Sequence, residues 1–351
     1  MPQKKALIAM SGGVDSSMAA AMMVEAGYDC LGVTMRLHDG DNCGAAAEAE
    51  DARKIAEQLG FPFEVADLRD VFSREVIDRF VSAYEAGDTP NPCIECNRYL
   101  KFGALMEYAK KQGCDTLVTG HYARVECDGE RYRLKKARNI AKDQTYVLYF
   151  LTQEQLAHIA FPLGDMESKE QIREMAAGYG FVSAHKADSQ DICFVPDGKY
   201  AEFIGQRTGK EYPAGDFVDA EGRVLGQHKG LIRYTIGQRR GLGLALPAPL
   251  YVRSKNREDN TVLLTPESEL YTSRLVADGF NWVDGVVPTA PLRVTACTRY
   301  AAKEAAATVT ALPEGKAEVV FDTPQRAVTC GQAVVLYSGD YVVGGGRICE
   351  V

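Results

Sequence analysis

The sequence predicts an α/β domain with a parallel sheet, then a small β domain, then a C-terminal antiparallel β-barrel. In the first part, short apolar runs alternate with segments of helical spacing, as in parallel βαβ units. From about Tyr200 the helical spacing disappears, and short apolar runs alternate with Gly, Pro and Asp turns. Similar runs continue after about Leu275, and they favour a closed antiparallel barrel. We therefore expect domains at residues 1–200, 201–274 and 275–351.

The first domain is expected to contain four strands and four helices in alternation. Apolar runs of strand length occur at residues 6–10, 30–35, 63–66 and 116–119. Helices are expected from the first turn to Gly27 and at residues 45–59, 71–86 and 103–112. Ligands of such sheets bind beyond the carboxyl ends of the strands. The turn after the first strand, Met35 and Gly120 should therefore meet at one nucleotide.

Ser11, Gly12 and Gly13 form a turn of small residues between the first strand and its helix, within the segment SGGVDSS. The free N–H groups of a helix start bind anions, and the glycines let the backbone approach a phosphate closely. The segment lacks the lysine of a Walker loop. Asp15 is expected on an exposed helix start, where it either complements the helix dipole or holds Mg²⁺ beside the phosphates.

Composition limits the function classes. The chain has 351 residues, 46% of them hydrophobic, and no apolar run approaches the ~18 residues that span a membrane. It enters a strand at once, which leaves no room for a signal peptide, so we expect a cytoplasmic protein. Its ten cysteines then suggest reduced thiols, catalysis or metal binding rather than disulfides. The net charge of −8 argues against a simple nucleic-acid binder, although residues 199–257 carry eleven Lys and Arg against five Asp and Glu.

A pair of cysteines lies in the segment Thr89–Gly103, TPNPCIECNRYLKFG. Its prolines and asparagines predict a shaped loop, with a helix starting near Tyr99. A Cys-x-x-Cys sequence is compatible with a redox pair, half of a metal site, or one nucleophilic thiol with a neighbour. The chain has no second Cys-x-x-Cys for a zinc ribbon, and Cys193, in DSQDICFVPDG, is the other cysteine in a loop of similar character.

Three further segments carry polar groups that are compatible with either a structural or a functional role. GHYARV, residues 120–125, and KDQTYVLYFL, residues 142–151, are compatible with a structural histidine and an ordinary polar helix start. HKGLIRYTIGQRRGLG, residues 228–243, is either a glycine-rich hairpin with a basic tip or a contact surface for a phosphate backbone.

The segment SGGVDSS resembles the PP-loop of the ATP pyrophosphatase superfamily, and the other motifs narrow the resemblance. Together with the TPNPxxxCN–KFG segment, GHYA, KDQTY, DSQDICF, YTIGQRRGLG, RAVT-GQAVV and the GGGRI end, the chain resembles the tRNA-specific 2-thiouridylases from Lys5 to Ile348. The resemblance implies that the 2-oxygen of the wobble uridine attacks the α-phosphate of ATP, which gives an adenylated base and pyrophosphate, with Mg²⁺ assisting. The residues implied for ATP are Ala9, Met10, Ser11, Gly12, Gly13, Val14, Asp15, Ser16, Met35 and Gly120.

The resemblance also implies where sulfur and tRNA bind. Sulfur would arrive as a persulfide on Cys193, and Cys96 would assist its transfer, leaving a Cys96–Cys193 disulfide. A helix N-terminus after Asn97 is expected to lower the pKa of the thiol. The partners implied are the tRNAs for Lys, Glu and Gln and a sulfur donor such as a cysteine desulfurase or a sulfur-relay protein. Asn91, Pro92 and Cys93 match the segment that contacts the target base, and the other tRNA-contacting positions are His121, Lys142, Asp143, Gln144, Arg299, Tyr300 and Gln332.

The chain departs from the familiar form of the family at two positions. Cys330 replaces a common proline in the barrel, where it should affect only a turn. Cys93 stands where many relatives have Asp, so that Cys93, Cys96 and Cys193 together offer three thiols. Three thiolates are also a ligand set for a 4Fe–4S cluster whose fourth iron holds sulfide, which is the alternative sulfur-transfer route.

Two other functions use the same nucleotide fold. One is an adenylating ligase of the argininosuccinate- or GMP-synthetase kind, which has no need of paired thiols or of YTIGQRRGLG. The other is a non-catalytic nucleotide-binding module, which would release no pyrophosphate with tRNA.

Overall fold

The first part of the chain folds around the predicted parallel sheet. The computed structural model describes residues 3–38, 45–184, 186, 192–195, 198–300 and 302–351. Within them this sheet has five strands in the order β3-β2-β1-β4-β7, all parallel. The strands are β1 (Lys5–Ala9), β2 (Asp29–Arg36), β3 (Phe63–Asp67), β4 (Thr116–Val118) and β7 (Ile159–Ala160).

The predicted helices lie where the apolar spacing puts them. Two are regular, α1 (Val14–Glu25) and α2 (Ala45–Leu59). The third, α3, covers residues 69–86, contains a π-helical turn at Ser73–Ile77, and ends at Gly87 with a φ of 91°. Its buried residues pack in one cluster with residues of the segment 192–204, which places that distant segment against α3.

The predicted loop around the paired cysteines is wrong, because the helix begins before them. Helix α4 covers residues 92–111 and includes a π-helical stretch, Cys96–Ala104. Asn91 caps it by accepting a hydrogen bond from the Cys93 N–H at 3.1 Å, and Pro92 occupies the first helical position. Asparagine at the cap followed by proline is a strong helix start. The predicted helix at residues 103–112 is therefore the C-terminal half of α4.

Three helices and a hairpin were not anticipated. The hairpin consists of β5 (Ala123–Cys127) and β6 (Tyr132–Lys136). Helices α5 (Gln153–Ala157), α6 (Lys169–Gly178) and α7 (Tyr200–Thr208) follow. Helix α7 contradicts the expectation that helical spacing ends at Tyr200. Tyr200, Ala201, Phe203 and Ile204 keep one more helical turn of apolar spacing and pack on the cluster of α3.

The central part forms a four-stranded sheet within the described residues, in the order β10-β11-β8-β9. The strand β11 runs parallel to β8, whereas the other two pairs are antiparallel. Phe217 and Tyr234 lie in its small apolar core and meet edge to face at 5.1 Å. The strands are β8 (Gly215–Val218), β9 (Val224–His228), β10 (Tyr251–Asn256) and β11 (Thr261–Thr265).

The last part is the closed antiparallel barrel that the sequence predicts. Among the described residues six strands follow the order β12-β15-β14-β13-β16-β17, and β17 pairs back to β12. The hairpin β5–β6 of the first part extends this sheet, since Lys135 pairs with Tyr341 of β17. The strands are β12 (Tyr271–Trp282), β13 (Leu292–Cys297), β14 (Ala305–Leu312), β15 (Lys316–Arg326), β16 (Ala333–Ser338) and β17 (Tyr341–Glu350).

One apolar core joins the parallel sheet to the barrel. Leu7 and Leu117 of the sheet, Leu148 of the following segment and Val335 of the barrel are fully buried in the same cluster. The site residues therefore sit on a continuous packed body. In the part of the chain that the structure describes, no helix is long and apolar enough to cross a membrane.

Candidate functional site

The shape of the turn after β1 depends on the close approach of α2 and on hydrogen bonds from α1. Gly12 has a φ of 70°, and a Cβ on it would lie 2.3 Å from the carbonyl oxygen of Glu48. The hydroxyl groups of Ser16 and Ser17 both donate to the carbonyl of Gly13, at 3.0 and 2.8 Å. The two hydroxyl groups therefore help to shape the turn.

A cavity of about 200 Å³ opens at the carboxyl ends of β1, β2 and β4. Seven of the ten residues predicted to bind ATP line it, whereas Gly12, Gly13 and Val14 do not. Gly120 packs so closely that a Cβ there would lie 2.8 Å from the Asp15 carbonyl carbon. The lining residues are Ala9, Met10, Ser11, Asp15, Ser16, Val33, Met35, Lys101, Thr119, Gly120, His121 and Gln144.

Asp15 is not an exposed helix-start acid. Its carboxylate accepts a hydrogen bond from Tyr122 Oη and forms an ion pair with Lys169 Nζ, both at 2.6 Å. The Lys169 side chain is only 9% exposed. Because the carboxylate pairs with an ammonium group that is almost buried, losing it should cost more stability than losing an exposed helix-start acid would.

His121 and Lys101 meet at the wall of this cavity. His121 is 8% exposed, and its Nδ1 lies 2.7 Å from Thr119 Oγ1. Its Nε2 lies 3.5 Å from Lys101 Nζ. Burial, and next the Lys101 charge, hold the pKa of His121 well below its usual range, so the ring is neutral at physiological pH. With the ammonium as donor to Nε2, Nδ1 carries the ring proton and donates it to Thr119.

The three thiols lie around the same lysine. Cys93 and Cys96 are on α4 with Lys101, and the π-helical hydrogen bonding of residues 96–104 brings positions five apart towards one face. Cys193 comes from the distant segment 192–195 and lies close enough to feel the charges of Cys96 and Cys93. Among the described residues, however, no three His, Cys, Asp or Glu side chains are grouped so as to hold a metal ion.

The surroundings of the thiols raise their pKa values instead of lowering them. Loss of solvation among the surrounding protein groups is the largest cause for all three thiols and raises the pKa of Cys193 to about 12, although Cys93 and Cys193 still expose part of their surface to solvent. The positive charge of Lys101 opposes this shift at all three thiols. The expected activation by a helix N-terminus after Asn97 is wrong, since Cys96 and Asn97 lie inside α4.

The residues of the segment 142–144, KDQ, have different surroundings. The Asp143 carboxylate accepts hydrogen bonds from the Ala137 N–H at 2.8 Å and the Thr145 hydroxyl at 2.5 Å, so it holds its own turn. Gln144 lines the nucleotide cavity, and its Oε1 accepts from the Tyr122 N–H at 3.0 Å. Lys142 is half-buried and lies near Tyr300.

Tyr300 places an exposed aromatic ring beside the thiols. It is 49% exposed, stands edge to face with Tyr146 at 5.9 Å, and lies within electrostatic reach of Cys93 and Lys142. Arg299 next to it is exposed. An exposed ring and a guanidinium group beside a site suit a single-stranded nucleotide.

Gln332 joins the barrel to the start of α4 rather than lying in open solvent. Its Nε2 donates to the Thr89 carbonyl at 2.7 Å, and the Thr89 N–H donates to the Cys330 carbonyl at 3.1 Å. Gly331 lies between them, where a Cβ would be 2.8 Å from Asp88 Cβ. Substitution of the common proline by Cys330 therefore concerns a turn in contact with the site.

The sequence analysis missed Lys101, Thr119, Lys169 and Tyr122. A signal existed for Lys101, since the KFG motif follows the paired cysteines at helical distance. None existed for Lys169, which lies 154 positions from Asp15 and reaches it only through the fold.

Three family profiles match successive parts of the chain. A family profile described as a tRNA methyl transferase HUP domain matches residues 4–197. Profiles described as a tRNA methyl transferase PRC-barrel domain and an aminomethyltransferase beta-barrel domain match residues 201–266 and 272–348.

Curated relatives cover nearly the whole chain. The tRNA-specific 2-thiouridylase MnmA of Acetivibrio thermocellus is 48% identical over 99% of this chain and 100% of its own length. That of Moorella thermoacetica is 49% identical over 98% of this chain and 99% of its own length. Among solved structures, the U34-tRNA thiolase NcsA from Methanococcus maripaludis gives a TM-score of 0.37 at 15% identity, over 59% of this chain and 64% of that chain, and this similarity is too low to argue from.

The Asp15–Lys169 ion pair predicts a non-additive mutant cycle. Asp15→Ala should destabilise the fold by roughly 3 kcal/mol, because it removes a carboxylate that forms an ion pair with an almost buried ammonium group. Lys169→Met on the Asp15→Ala background should recover part of that loss. Urea unfolding of the two single variants and the double variant measures this. Additive losses would mean that the pair contributes nothing beyond its separate side chains.

Lys101 is predicted to set the reactivity of the thiols. In Lys101→Met their pKa values should rise further, and each additional pKa unit lowers the thiolate fraction about tenfold. Site-resolved alkylation by iodoacetamide from pH 7 to pH 10 should be slower in this variant, with its rise displaced to higher pH, and Lys101→Arg should retain most of the rate. Lys110→Met, an exposed lysine on the same helix, is the control. Equal rates in Lys101→Met and wild type would exclude this role.

Proposed function

Since the chain belongs to the tRNA-specific 2-thiouridylase family, we propose that it uses ATP to replace the 2-oxygen of the wobble uridine of tRNA by sulfur. One observation carries the proposal: thiols from two distant segments surround Lys101, which also lines the cavity of the predicted ATP residues. A reaction that first activates a carbonyl with ATP and then adds sulfur needs the nucleotide and the sulfur carrier at one place.

The adenylation step uses the turn after β1 and the cavity wall. The uridine 2-oxygen attacks the α-phosphate, the bond to the β-phosphate oxygen breaks, and pyrophosphate leaves. Gly12 and Gly120 allow close packing of the backbone around this cavity, and the N–H groups at the start of α1 stabilise negative charge there. The Lys101 ammonium group, at the wall of the cavity, supplies a positive charge near the phosphates.

The sulfur step uses the thiols in sequence. The terminal sulfur of a Cys193 persulfide attacks C2 of the adenylated base, and AMP leaves with the former 2-oxygen. The Cys96 thiolate attacks Cys193 Sγ and breaks the persulfide S–S bond, so the base retains the sulfur and a Cys96–Cys193 disulfide forms. A thiol reductant then returns both cysteines to the reduced state with two electrons.

The surroundings of the thiols fit a guarded reaction. Their raised pKa values keep them protonated and unreactive at neutral pH when no substrate is bound. The positive charge of Lys101 favours the thiolate form of the three cysteines, so a thiol loses its proton most easily where it lies close to Lys101. Tyr300 and Arg299 flank this place, and we assign them to the tRNA, together with Lys142 and Asn91.

The Mg²⁺ ion and the 4Fe–4S cluster that the sequence suggests fit the described residues poorly. Asp15, the expected Mg²⁺ ligand, is committed to Lys169 and Tyr122. We therefore assign no protein ligand to Mg²⁺, which would neutralise the phosphates of ATP. The three thiols are mutual neighbours but are not grouped as a metal site, so we derive no step through a 4Fe–4S cluster.

The other functions lack support in the site. An adenylating ligase or a nucleotide-binding module has no use for three thiols beside its nucleotide. The tRNAs proposed as substrates are those for Lys, Glu and Gln, and the sulfur donor proposed is a cysteine desulfurase or a relay protein that can reach Cys193, which is exposed.

Thiolation of unmodified tRNA with ATP and a sulfur source is the deciding assay. Wild type should form 2-thiouridine and pyrophosphate, whereas Cys96→Ser and Cys193→Ser should form no thiouridine. Cys93→Asp, purified anaerobically, should remain active without iron, because the persulfide route uses only two thiols. Loss of both iron and activity in Cys93→Asp would establish the cluster route instead, and absence of thiouridine with wild type would refute the function.

The central sheet is predicted to contact the RNA backbone. Arg239 and Arg240 are exposed at the rim of a cavity of about 400 Å³ that the segment from Arg239 to Leu250 lines. Replacing both by Ala should weaken tRNA binding and reduce the salt slope, log Kd against log salt, by about 1.5. Arg223→Ala is the control, since Arg223 is an exposed arginine in the turn between β8 and β9 that pairs with Asp219. An unchanged slope would place the RNA elsewhere.

A further inference from the structure

A second and larger cavity lies on the other side of the start of α4. Its volume is about 490 Å³, and its walls come from α3, α4 and the barrel. Asn91 and Pro92, which belong to the segment assigned to the target base, form part of its wall. The cavity is therefore adjacent to the place where the target base would enter, and nothing assigned so far uses it.

Two side chains of α4 face this cavity with unused hydrogen-bonding capacity. Glu95 and Arg98 lie one helical turn apart, yet among the described residues they form no ion pair with each other, and Glu95 accepts no hydrogen bond. Burial raises the pKa of Glu95 despite the nearby charges of Arg98, Arg79 and Arg347. An unpartnered carboxylate in such a place costs free energy that a bound N–H donor would return.

Aromatic contacts hold the Arg98 side chain in place and leave most of its N–H groups available. Its guanidinium carbon lies 5.7 Å from the ring centre of Tyr149 and 5.2 Å from that of Phe150, and its Nη2 donates a long hydrogen bond of 3.4 Å to Tyr149 Oη. Aromatic stacking fixes the plane of the guanidinium and leaves most of its N–H groups for another acceptor. The wall of the cavity thus carries a donor group that is held in place and, one helical turn away on α4, an acceptor group.

We propose that this cavity binds the nucleotide on the 3′ side of the wobble uridine and that Glu95 and Arg98 read its base. The inference rests on the proposed function. A uracil offers one N–H between two carbonyl oxygens, which matches a carboxylate beside a guanidinium group, and unstacked loop bases are recognised along this edge. Every tRNA that reads codons for Lys, Glu or Gln carries uridine at this position, so one reader serves all three.

Cytosine tests the pairing because it has nearly the same size as uracil but the reverse donor and acceptor pattern at positions 3 and 4 of the ring. Its ring nitrogen is an acceptor where uracil has N–H, so the Glu95 carboxylate would face a lone pair. The site should therefore reject cytidine at the neighbouring position although the target uridine is unchanged. Rejection through unpaired buried polar groups is stronger than rejection by shape alone.

The experiment uses the full-length protein and anticodon stem–loop RNAs that differ only in this neighbour. Wild type should bind the uridine RNA at least about tenfold more tightly than the cytidine RNA. Glu95→Gln should bring this ratio close to one, because its amide can donate to cytosine, and Arg98→Lys should reduce it. Glu107→Gln, an exposed carboxylate on the same helix, should keep the wild-type ratio.

Binding and thiolation are measured on the same samples, which separates this inference from the proposed function. Thiolation of the uridine RNA with no difference in affinity between the RNAs, or an unchanged ratio in Glu95→Gln, overturns the cavity assignment alone. Discrimination that depends on Glu95, with no thiolation by wild type, supports the cavity and refutes the proposed function. Absence of both binding preference and thiolation overturns the two together.

Discussion

The hydrogen bonds between Thr89 and the barrel fix the part of the molecule on which the chemistry depends. Thr89 donates its N–H to Cys330 and accepts from Gln332, so both sides of its backbone are tied to the C-terminal barrel. Helix α4 begins three residues later. The barrel, as well as the parallel sheet, therefore determines where the side chains of α4 lie. They include Cys93, Cys96, Lys101, Glu95 and Arg98. A helix anchored only at its C-terminal half would leave these groups free to shift.

Two different physical needs meet on α4. In the proposed mechanism the thiols must stay protonated while no substrate is bound, and the surrounding protein groups achieve this by raising their pKa values. They must also become nucleophiles, which requires a nearby positive charge. The π-helical stretch reconciles these needs, because it brings Cys96 towards the face of Lys101 without changing the length of the helix. Such irregular turns cost hydrogen-bond geometry, and they are found most often where function requires them.

The sequence predicted much of the architecture because its signals are local. The parallel sheet, helix α2 and the barrel follow from periodicity and from turn residues, and the glycine turn follows from SGGVDSS. Helix α4 was placed too late because the prolines of the segment were given more weight than the Asn91–Pro92 cap. The short helices α5 and α6 and the hairpin β5–β6 carry too few apolar positions to stand out from loops.

The candidate site was less predictable than the fold because its main contacts are distant in sequence. Asp15 was predicted to be exposed because no residue near it in the sequence indicates the contact with Lys169. Ser16 was predicted to bind ATP, and its hydrogen bond to Gly13 could not be predicted because it depends on the folded turn. Asp143 similarly looked available for RNA until the Ala137 and Thr145 contacts were seen. Residue type and family resemblance located the region, and only the fold showed which polar atoms were already occupied.

The hairpin β5–β6 has a consequence for the order in which the molecule is made. Its outer neighbour in the sheet is β17, about 200 residues later in the chain. During synthesis the hairpin and the Thr89 backbone must therefore wait, with open hydrogen-bonding groups, until nearly the whole barrel has emerged. The parallel sheet and helix α4 are thus synthesised well before the part of the barrel that anchors the start of α4. On a partly synthesised chain this end of α4 would have no anchor, so formation of the last strands completes the candidate site.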